Sequence, residues 1–459
     1  MLARLGDRLS AFFRATAPDP FVIAVLLTAS TFFLALWCTD STASDLVASW
    51  ASPTDGVWKF LAFAMQMCLI LVTGHAVAAS KPVALLLRRL ADLPRTGAQA
   101  AAMVAFIAAS LGVVNWGLGL IAGAIIARDA GRSLTRREIP HHYPVLVAAG
   151  YLGLMTWHGG FSGTAPLMVS TQAGITSVLP TGTQLAPIPL SQTVFGSLNI
   201  IVTGGLILIG VLGMAMLMPK QGGKMCPALS QTSKQSEDRV ADEPKPIIVR
   251  TLEETPIVNL LLAALIAWWA FGFYFPAGES AKSGILRLSP NEVNLTMLML
   301  GLVLHGSPRS FIAAVEDGAR GCAGIIVQFP LYAGIMGMMH ASGLTAQIAG
   351  AISASAGPNT LAPLTCVSAG IVNLFVPSGG GQWGVQGPIV IESALATGVE
   401  LPKAVMALAY GDQLTNMLQP FWALPLLAIT GAKAREIVGY TAIVMILSLI
   451  WTLGCLLVL

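Results

Sequence analysis

Residues 98–131 read AQAAAMVAFIAASLGVVNWGLGLIAGAIIARDAG. The run is apolar over about 35 residues, but its centre, Asn115-Trp116-Gly117-Leu118-Gly119, is polar and glycine-rich. One span needs about 20 apolar residues, so the run does not read as a single crossing. Split at the centre, each half is too short to cross a bilayer of about 30 Å alone, and a re-entrant helical hairpin is expected. Residues 360–396 repeat the pattern around Pro377-Ser378-Gly379-Gly380-Gly381-Gln382.

The rest of the chain supports a membrane reading. Of 459 residues, 55% are hydrophobic and only 10% charged, against roughly a quarter charged in soluble domains. A soluble enzyme, a disordered chain and a nucleic-acid binder are all excluded by that balance. Lipid lets apolar side chains face outward, so a polytopic membrane protein fits. The six cysteines are scattered without a CxxC pair, which argues against a disulfide framework or a zinc site. The apolar run Phe21 to Trp37 follows a basic stretch, but no small-x-small cleavage site follows it. It reads as the first span. Full spans are expected at 20–38, 57–79, 143–176 (interrupted), 193–218, 256–275, 292–306, 320–341, 402–430 (interrupted) and 436–458. The expected fold is an all-α polytopic membrane protein with about nine full spans plus two hairpins.

The basic residues orient this layout. With the N-terminus cytoplasmic, segments 1–19, 80–97, 128–142, 219–255, 306–321 and 431–436 hold 21 of the 25 Lys and Arg. Only Lys59, Lys282, Arg287 and Lys403 remain outside. The bias follows the positive-inside rule and leaves the C-terminus periplasmic. The first hairpin then enters from the cytoplasm and the second from outside.

That orientation exposes an inverted repeat. In 1–218, a span ending at Gly74-His75 precedes an amphipathic stretch (Pro82 to Asp92) and the hairpin with Asn115 at its tip. A span broken at His158-Gly159-Gly160-Phe161-Ser162-Gly163-Thr164-Ala165-Pro166 and a final span follow. In 276–459, a span ending at Met339-His340 precedes a short stretch (Leu344 to Ser355) and the hairpin with Asn373 before its tip. A span broken at Gly411-Asp412-Gln413-Leu414-Thr415-Asn416 and a final span close the chain. Residues 219–275 hold a solvated loop and the connector helix. Paired interrupted segments in inverted halves mark the binding site of a secondary transporter.

Breaking a helix frees N–H groups at one new end and C=O groups at the other. The N–H ends suit an anion. The C=O ends, with Asn, Ser and Thr oxygens, suit a cation. Asp412 is the one acidic residue expected near the middle of a span, at a cost of roughly 2.5–3.5 kcal/mol on insertion scales. It reads as a cation ligand or proton carrier, with Thr415 and Asn416 on its face if the segment is helical. His158 holds the matching position in the other half. It could bind a carboxylate, take a proton, or bond a freed carbonyl. Glu392 and Asp129 fall near an interface, as do His75 and His340, and His141-His142 is expected at the surface. Trp116, Trp157, Phe161 and Trp383 border the polar centres, as walls for a short aliphatic tail or as packing between helices. No Lys or Arg is expected at depth, which favours a small singly charged anion.

Four segments resemble one family closely. They are NWGLGLIAGAIIAR (Asn115 to Arg128), WHGGFSGTAPL (Trp157 to Leu167), VNLFVPSGGGQWGVQGP (Val372 to Pro388) and GDQLTNMLQPFWALPLL (Gly411 to Leu427). Together they are similar to the short-chain fatty acid transporters, within the ion transporter superfamily. The resemblance implies uptake of butyrate, acetoacetate and similar monocarboxylates across the bacterial inner membrane. It also implies a hairpin-bearing domain that moves, elevator-like, against a scaffold through which oligomers form. Binding residues are expected from the polar centres: Asn115, Gly117, His158, Ser162, Gly163 and Thr164 in one half. The other half supplies Asn373, Ser378, Gly379, Gly380, Gln382, Asp412, Thr415 and Asn416. A sodium ion would use Asn115, Asn373, Asp412 and Asn416. The tips read Asn115-Trp116-Gly117 and Pro377-Ser378-Gly379, where the superfamily carries a Ser-Asn-Thr type signature, so coupling stays open between H+ and Na+. No cofactor and no catalytic residue is expected. Two other classes compete. A channel or facilitator would lack gradient-driven accumulation. An intramembrane enzyme would need His158 and Asp412 within hydrogen-bond reach, plus a nucleophile or metal.

Overall fold

The structure is a computed structural model that describes residues 8, 11–12, 20–59, 61–172, 175, 185–221, 223–226, 246–276, 290–377 and 379–459. Ser378 and most of the loop expected at 219–250 lie outside the described residues. Among the described residues every regular element is helical. Six helices are long and apolar enough to cross a membrane: Phe21–Cys38, Gly97–Val114, Ser197–Leu217, Ile257–Tyr274, Ala323–Ala341 and Ala434–Val458. Five of them match expected full spans. Large apolar side chains on their outer faces, such as Leu265, Trp268 and Phe271, are exposed, as a lipid environment permits. The chain is a multi-pass membrane protein.

Gly97–Val114 changes one expectation. It is the first arm of the first hairpin, and at 18 residues it extends about 27 Å. Its partner arm, Trp116–Arg136, has 21 residues. Arm length therefore does not forbid a crossing. The turn between the arms is a single extended residue, Asn115, at φ −158° and ψ 132°. In the second hairpin, Leu361–Asn373 and Gly379–Thr397 have 13 and 19 residues.

Both interrupted spans are broken as the glycine and polar runs predict. The first consists of Tyr143–Tyr151, a 3-10 turn Leu152–Met155, a non-helical stretch 156–163 and Thr164–Val169. The second consists of Leu401–Thr415, a 3-10 turn Asn416–Leu418 and Pro420–Thr430. The amphipathic stretches form helices Lys81–Asp92 and Leu344–Ser353. Leu61–Ala79 and Pro290–Leu304 complete the expected set.

Three helices stand where only connections were expected: Ala43–Ala51, Ile247–Glu254 and Pro308–Ala319. Local signals explain two of them. Thr42 and Asp45 form a capping box, and the Thr42 hydroxyl holds the Asp45 carboxyl below its ordinary pKa. Ser307 accepts from Ser310 N–H and Pro308 takes the first turn. His141 and His142 also depart from expectation, because both are buried. Residues 223–226 fold over them: Gly223 N–H donates to His141 O at 2.9 Å and Lys224 N–H to His142 Nδ1 at 2.8 Å.

The helices sort into two packed groups. The hairpins, the broken spans, Ser197–Leu217 and Ala434–Val458 pack on one another. Pro20–Cys38, Leu61–Ala79, Ile257–Tyr274, Pro290–Leu304, Pro308–Ala319 and Ala323–Ala341 form the other group. Within the first group, glycines let backbones touch. A Cβ on Gly112 would lie 2.2 Å from Gly153 O, and one on Gly123 2.1 Å from Gly150 O. A Cβ on Gly411 would lie 2.0 Å from Cys366 O.

Replacing such a glycine forces the hairpin off its broken span, an overpacking cost of about 1–3 kcal/mol or more. Gly112→Ala is expected to lower the apparent Tm of the detergent-solubilised protein. Gly204→Ala, with nothing within 4 Å of the new methyl, is expected to leave it unchanged. Thermal scans of both variants check this.

Candidate functional site

The first hairpin tip is closed by its own residues. Asn115 Oδ1 accepts from Gly117 N–H at 2.9 Å and Leu118 N–H at 3.2 Å. Ser162 Oγ, from the broken span, accepts from Trp116 N–H at 3.1 Å. Asn115 N–H donates back to Leu111 O at 2.8 Å. The four N–H groups that a new helix start leaves free thus have protein acceptors. Phe161 N–H donates to Val113 O at 2.8 Å, tying the tip to the break. The structure places Asn115, Gly117 and Ser162 together here as a capped turn.

The loop of the first broken span is satisfied by polar side chains from elsewhere. Gln413 Oε1 accepts from His158 N–H and Gly159 N–H at 3.0 and 3.1 Å. Asn199 Nδ2 donates to Gly159 O at 2.7 Å, and Thr156 Oγ1 donates to Ala109 O at 2.8 Å. Gly163 approaches the His158 carbonyl so closely that a Cβ there would lie 2.1 Å from it.

His158 and Asp412 meet. Nδ1 lies 2.5 Å from Oδ2, with side chains 0% and 2% exposed. The other ring nitrogen, Nε2, accepts from Ala165 N–H at 3.0 Å. An accepting Nε2 carries no hydrogen, so Nδ1 is the one ring position left for a proton, and it faces the carboxylate. Trp157 stacks on the same imidazole, with centroids 4.4 Å apart and planes at 26°.

The second hairpin docks on the second broken span. Asn373 Nδ2 faces Asp412 O, Thr415 Oγ1 and Asn416 Oδ1, each at 2.9 Å. Gln419 Nε2 donates to Asn373 O at 2.6 Å. Tyr151 Oη donates to Asn416 O and Gln419 O, both at 2.9 Å, and so links the two broken spans. Gln382 sits inside the hairpin, where Nε2 donates to Ala369 O and Gln386 Oε1.

The expected residues therefore fall into three groups. His158, Asn373, Asp412, Thr415 and Asn416 converge. Asn115, Gly117 and Ser162 form the first tip. Thr164, Gly379 and Gly380 adjoin at the second tip, where a Cβ on Gly379 would lie 3.0 Å from Thr164 Oγ1. Each hairpin thus touches the other half's broken span, since Trp116 also packs edge-to-face on Trp422 at 5.3 Å. Among the described residues, no three His, Cys, Asp or Glu side chains cluster to hold a metal.

Sequence reasoning missed Gln413, Gln419, Tyr151 and Asn199. Gln413 lay beside Asp412 in the polar run and was legible there. Asn199 belongs to an otherwise apolar, unbroken span, and its sole signal was the isolated amide.

Several helices long and apolar enough to cross a membrane make this a multi-pass membrane protein, with a buried acid–imidazole contact where two interrupted helices meet. The family model for short chain fatty acid transporters matches residues 1–459. The chain belongs to the short-chain fatty acid transporter family. A candidate short-chain fatty acid transporter of Escherichia coli (strain K12) is 40% identical over 443 residues, covering 96% of both chains. One from Haemophilus influenzae Rd is 37% identical over 450 residues, again covering 96% of each. Among solved structures, MtrF of Neisseria gonorrhoeae aligns over 97% of both chains at 16% identity and a TM-score of 0.42. The YdaH transporter of Alcanivorax borkumensis aligns over 96% of this chain and 97% of its own, with the same identity and score.

Removing the Tyr151 hydroxyl takes its donor from the Gln419 carbonyl, while Asn416 O keeps Gln419 N–H at 3.0 Å. Tyr151→Phe is expected to destabilise the fold by about 1–3 kcal/mol, read as a lowered Tm in detergent.

Proposed function

We propose that the protein is a secondary active carrier of short-chain monocarboxylates, of the butyrate and acetoacetate class, coupled to H+ or Na+ through Asp412 and His158. The observation that carries this reading is the 2.5 Å contact between Nδ1 and Oδ2 at the meeting of the two broken spans. With a single proton between them, the pair has a net charge of −1. A second proton, or one monovalent cation, brings it to zero. A net charge buried away from water is costly, so the neutralised pair is the form that can move through the membrane. That preference is the differential affinity that coupling requires.

Oxygens suited to a cation stand close by. Asn373 Oδ1 and Gln419 Oε1 are buried and without a donor among the described residues, and Asn416 Oδ1 faces the same asparagine. Of the expected sodium ligands, Asn373, Asp412 and Asn416 belong to this group and Asn115 to the first tip. His158 Nε2 already accepts from Ala165 N–H, so that lone pair is not free to act as a general base, which disfavours the enzyme reading.

The two packed groups support an elevator. The hairpin-bearing group would be the moving domain and the other group the scaffold and the oligomer contact. Between them runs a crevice lined by Ile70, Gly74, Ile121, Ile125 and Met297, an apolar surface suited to sliding. The halves are read as inverted repeats with the N-terminus cytoplasmic and the C-terminus periplasmic. Each hairpin is read as re-entrant, since its tip bonds to residues at the break of a span. Re-entry then follows from where the tips are anchored, and arm length is not required for it.

Purified protein in liposomes, loaded against Na+ and pH gradients imposed separately, should accumulate labelled butyrate with one of them. If neither gradient drives accumulation, the carrier reading fails and a facilitator remains. Asp412→Asn is expected to abolish concentrative uptake while the protein still folds and inserts. Normal uptake by that variant would remove Asp412 from the coupling role.

A further inference from the structure

The second arm of the first hairpin, Trp116–Arg136, carries an apolar stripe that ends in charge. Leu118, Ile121, Ala122 and Ile125 follow one another on one helix face and line the crevice together with Gly74 and Val77 of Leu61–Ala79. Every residue lining that crevice is apolar or a glycine, and its volume is about 130 Å³. An apolar cavity of about 150 Å³ stays dry and takes up hydrocarbon, so this space suits an acyl chain better than water. From Gly117 to Ile126 it follows the arm for about 14 Å, close to one leaflet of a hydrocarbon core about 30 Å thick. Leu69, Leu85 and Leu86, on the flanking helices, are exposed, as lipid-facing side chains are. Arg128, Asp129 and Arg132 continue the same face. Arg128 and Arg132 act electrostatically on His75, next to Gly74 on the facing helix, which puts the cations at the end of the crevice. Arg128 Nε donates to Asp129 Oδ1 at 2.9 Å. Arg132 reaches that oxygen only at 3.8 Å, beyond hydrogen-bond length, and its Nε has no acceptor among the described residues. Its side chain is 38% exposed. Two guanidinium groups thus share one carboxylate, a surplus of one positive charge. Asp317 and Asp92 are engaged elsewhere, with His75 at 3.0 Å and Arg136 at 2.7 Å.

We propose that this crevice is a binding site for one anionic phospholipid. An acyl chain lies along the stripe, and the phosphate accepts from Arg132 with Arg128 beside it. A guanidinium presents its N–H groups in a fork that matches phosphate oxygens, and basic pockets between membrane helices are a recurrent setting for anionic headgroups. A zwitterionic lipid has the same phosphate but brings its own cation, which the surplus charge repels. The stripe and both arginines belong to the hairpin-bearing group, while Gly74, Val77 and Met297 belong to the other. A lipid held by one group and lodged against the other therefore touches both sides of the surface along which, on the carrier reading, sliding takes place. Binding needs no transport, so the site stands apart from that reading.

Delipidated full-length protein in detergent, titrated with phosphatidylglycerol and followed by native mass spectrometry, should retain one such lipid per chain. Its Kd should be about tenfold lower than that of phosphatidylcholine with the same chains, the scale of a hydrogen bond to a charged group. Arg132→Gln should weaken phosphatidylglycerol binding by about the same factor and erase the preference. Ala122→Phe, which puts a ring into the crevice and leaves both arginines, should weaken both lipids alike. Arg136→Gln, one turn further on and already paired with Asp92, should leave Kd within about twofold, since it removes no phosphate contact. Equal losses in Arg132→Gln and Arg136→Gln mean diffuse attraction to a basic face and overturn the site. An unchanged Kd in Ala122→Phe, or equal binding of the two lipids by the wild type, overturns it as well. If Arg132→Gln does not fold, Ala122→Phe and the wild-type preference decide. None of these readouts involves butyrate, so their failure leaves the carrier reading intact, and failure of butyrate uptake leaves the lipid site intact.

Discussion

Backbone groups freed where a helix breaks inside a membrane have no water to turn to, and each one left unpaired costs several kcal/mol. The whole centre of this molecule answers that constraint. The break in the first span leaves the amides of His158 and Gly159 without helical partners, and Gln413 from the other half accepts both. Around Gln419, Tyr151 from the first half closes two carbonyls of the second. Neither broken span could hold its shape alone. The polar centre is therefore also the joint between the halves, and the glycine contacts that bring the backbones together serve the same end.

A satisfied backbone has a consequence for function. At the first tip, Asn115 and Ser162 use the very amides that a helix start would otherwise offer to an anion. The first tip is thereby a sealed structural turn.

Much of this was legible in the residues. The glycine and polar runs located both breaks and both hairpin turns, because interrupted apolar periodicity has few other causes in a chain so poor in charge. Asp412 and His158 stood out as ionisable groups in apolar context, although nothing in their spacing, 254 positions apart along the chain, said that they touch. Contacts of that range depend on how the halves dock, which hydropathy does not encode. The Ala43–Ala51 helix was missed despite its Thr42/Asp45 capping box, because span-length windows pass over nine-residue helices. His141 and His142 were misplaced for a different reason. A basic, proline-containing segment reads as solvated, and the cover that residues 223–226 place over it is a tertiary event.

The His158–Asp412 contact is the point where structural and functional demands coincide. Its partners leave it little freedom. Ala165 N–H fixes Nε2 as an acceptor, Trp157 fixes the plane of the ring, and Asn373 holds the Asp412 carbonyl. A merely structural pair could be replaced by apolar side chains at little cost or even a gain. This one is held by groups from both broken spans and the second hairpin, so its charge state is felt by each element that would have to move. Low charge content excludes soluble classes; one buried charge, constrained in this way, is the group through which we propose that coupling runs.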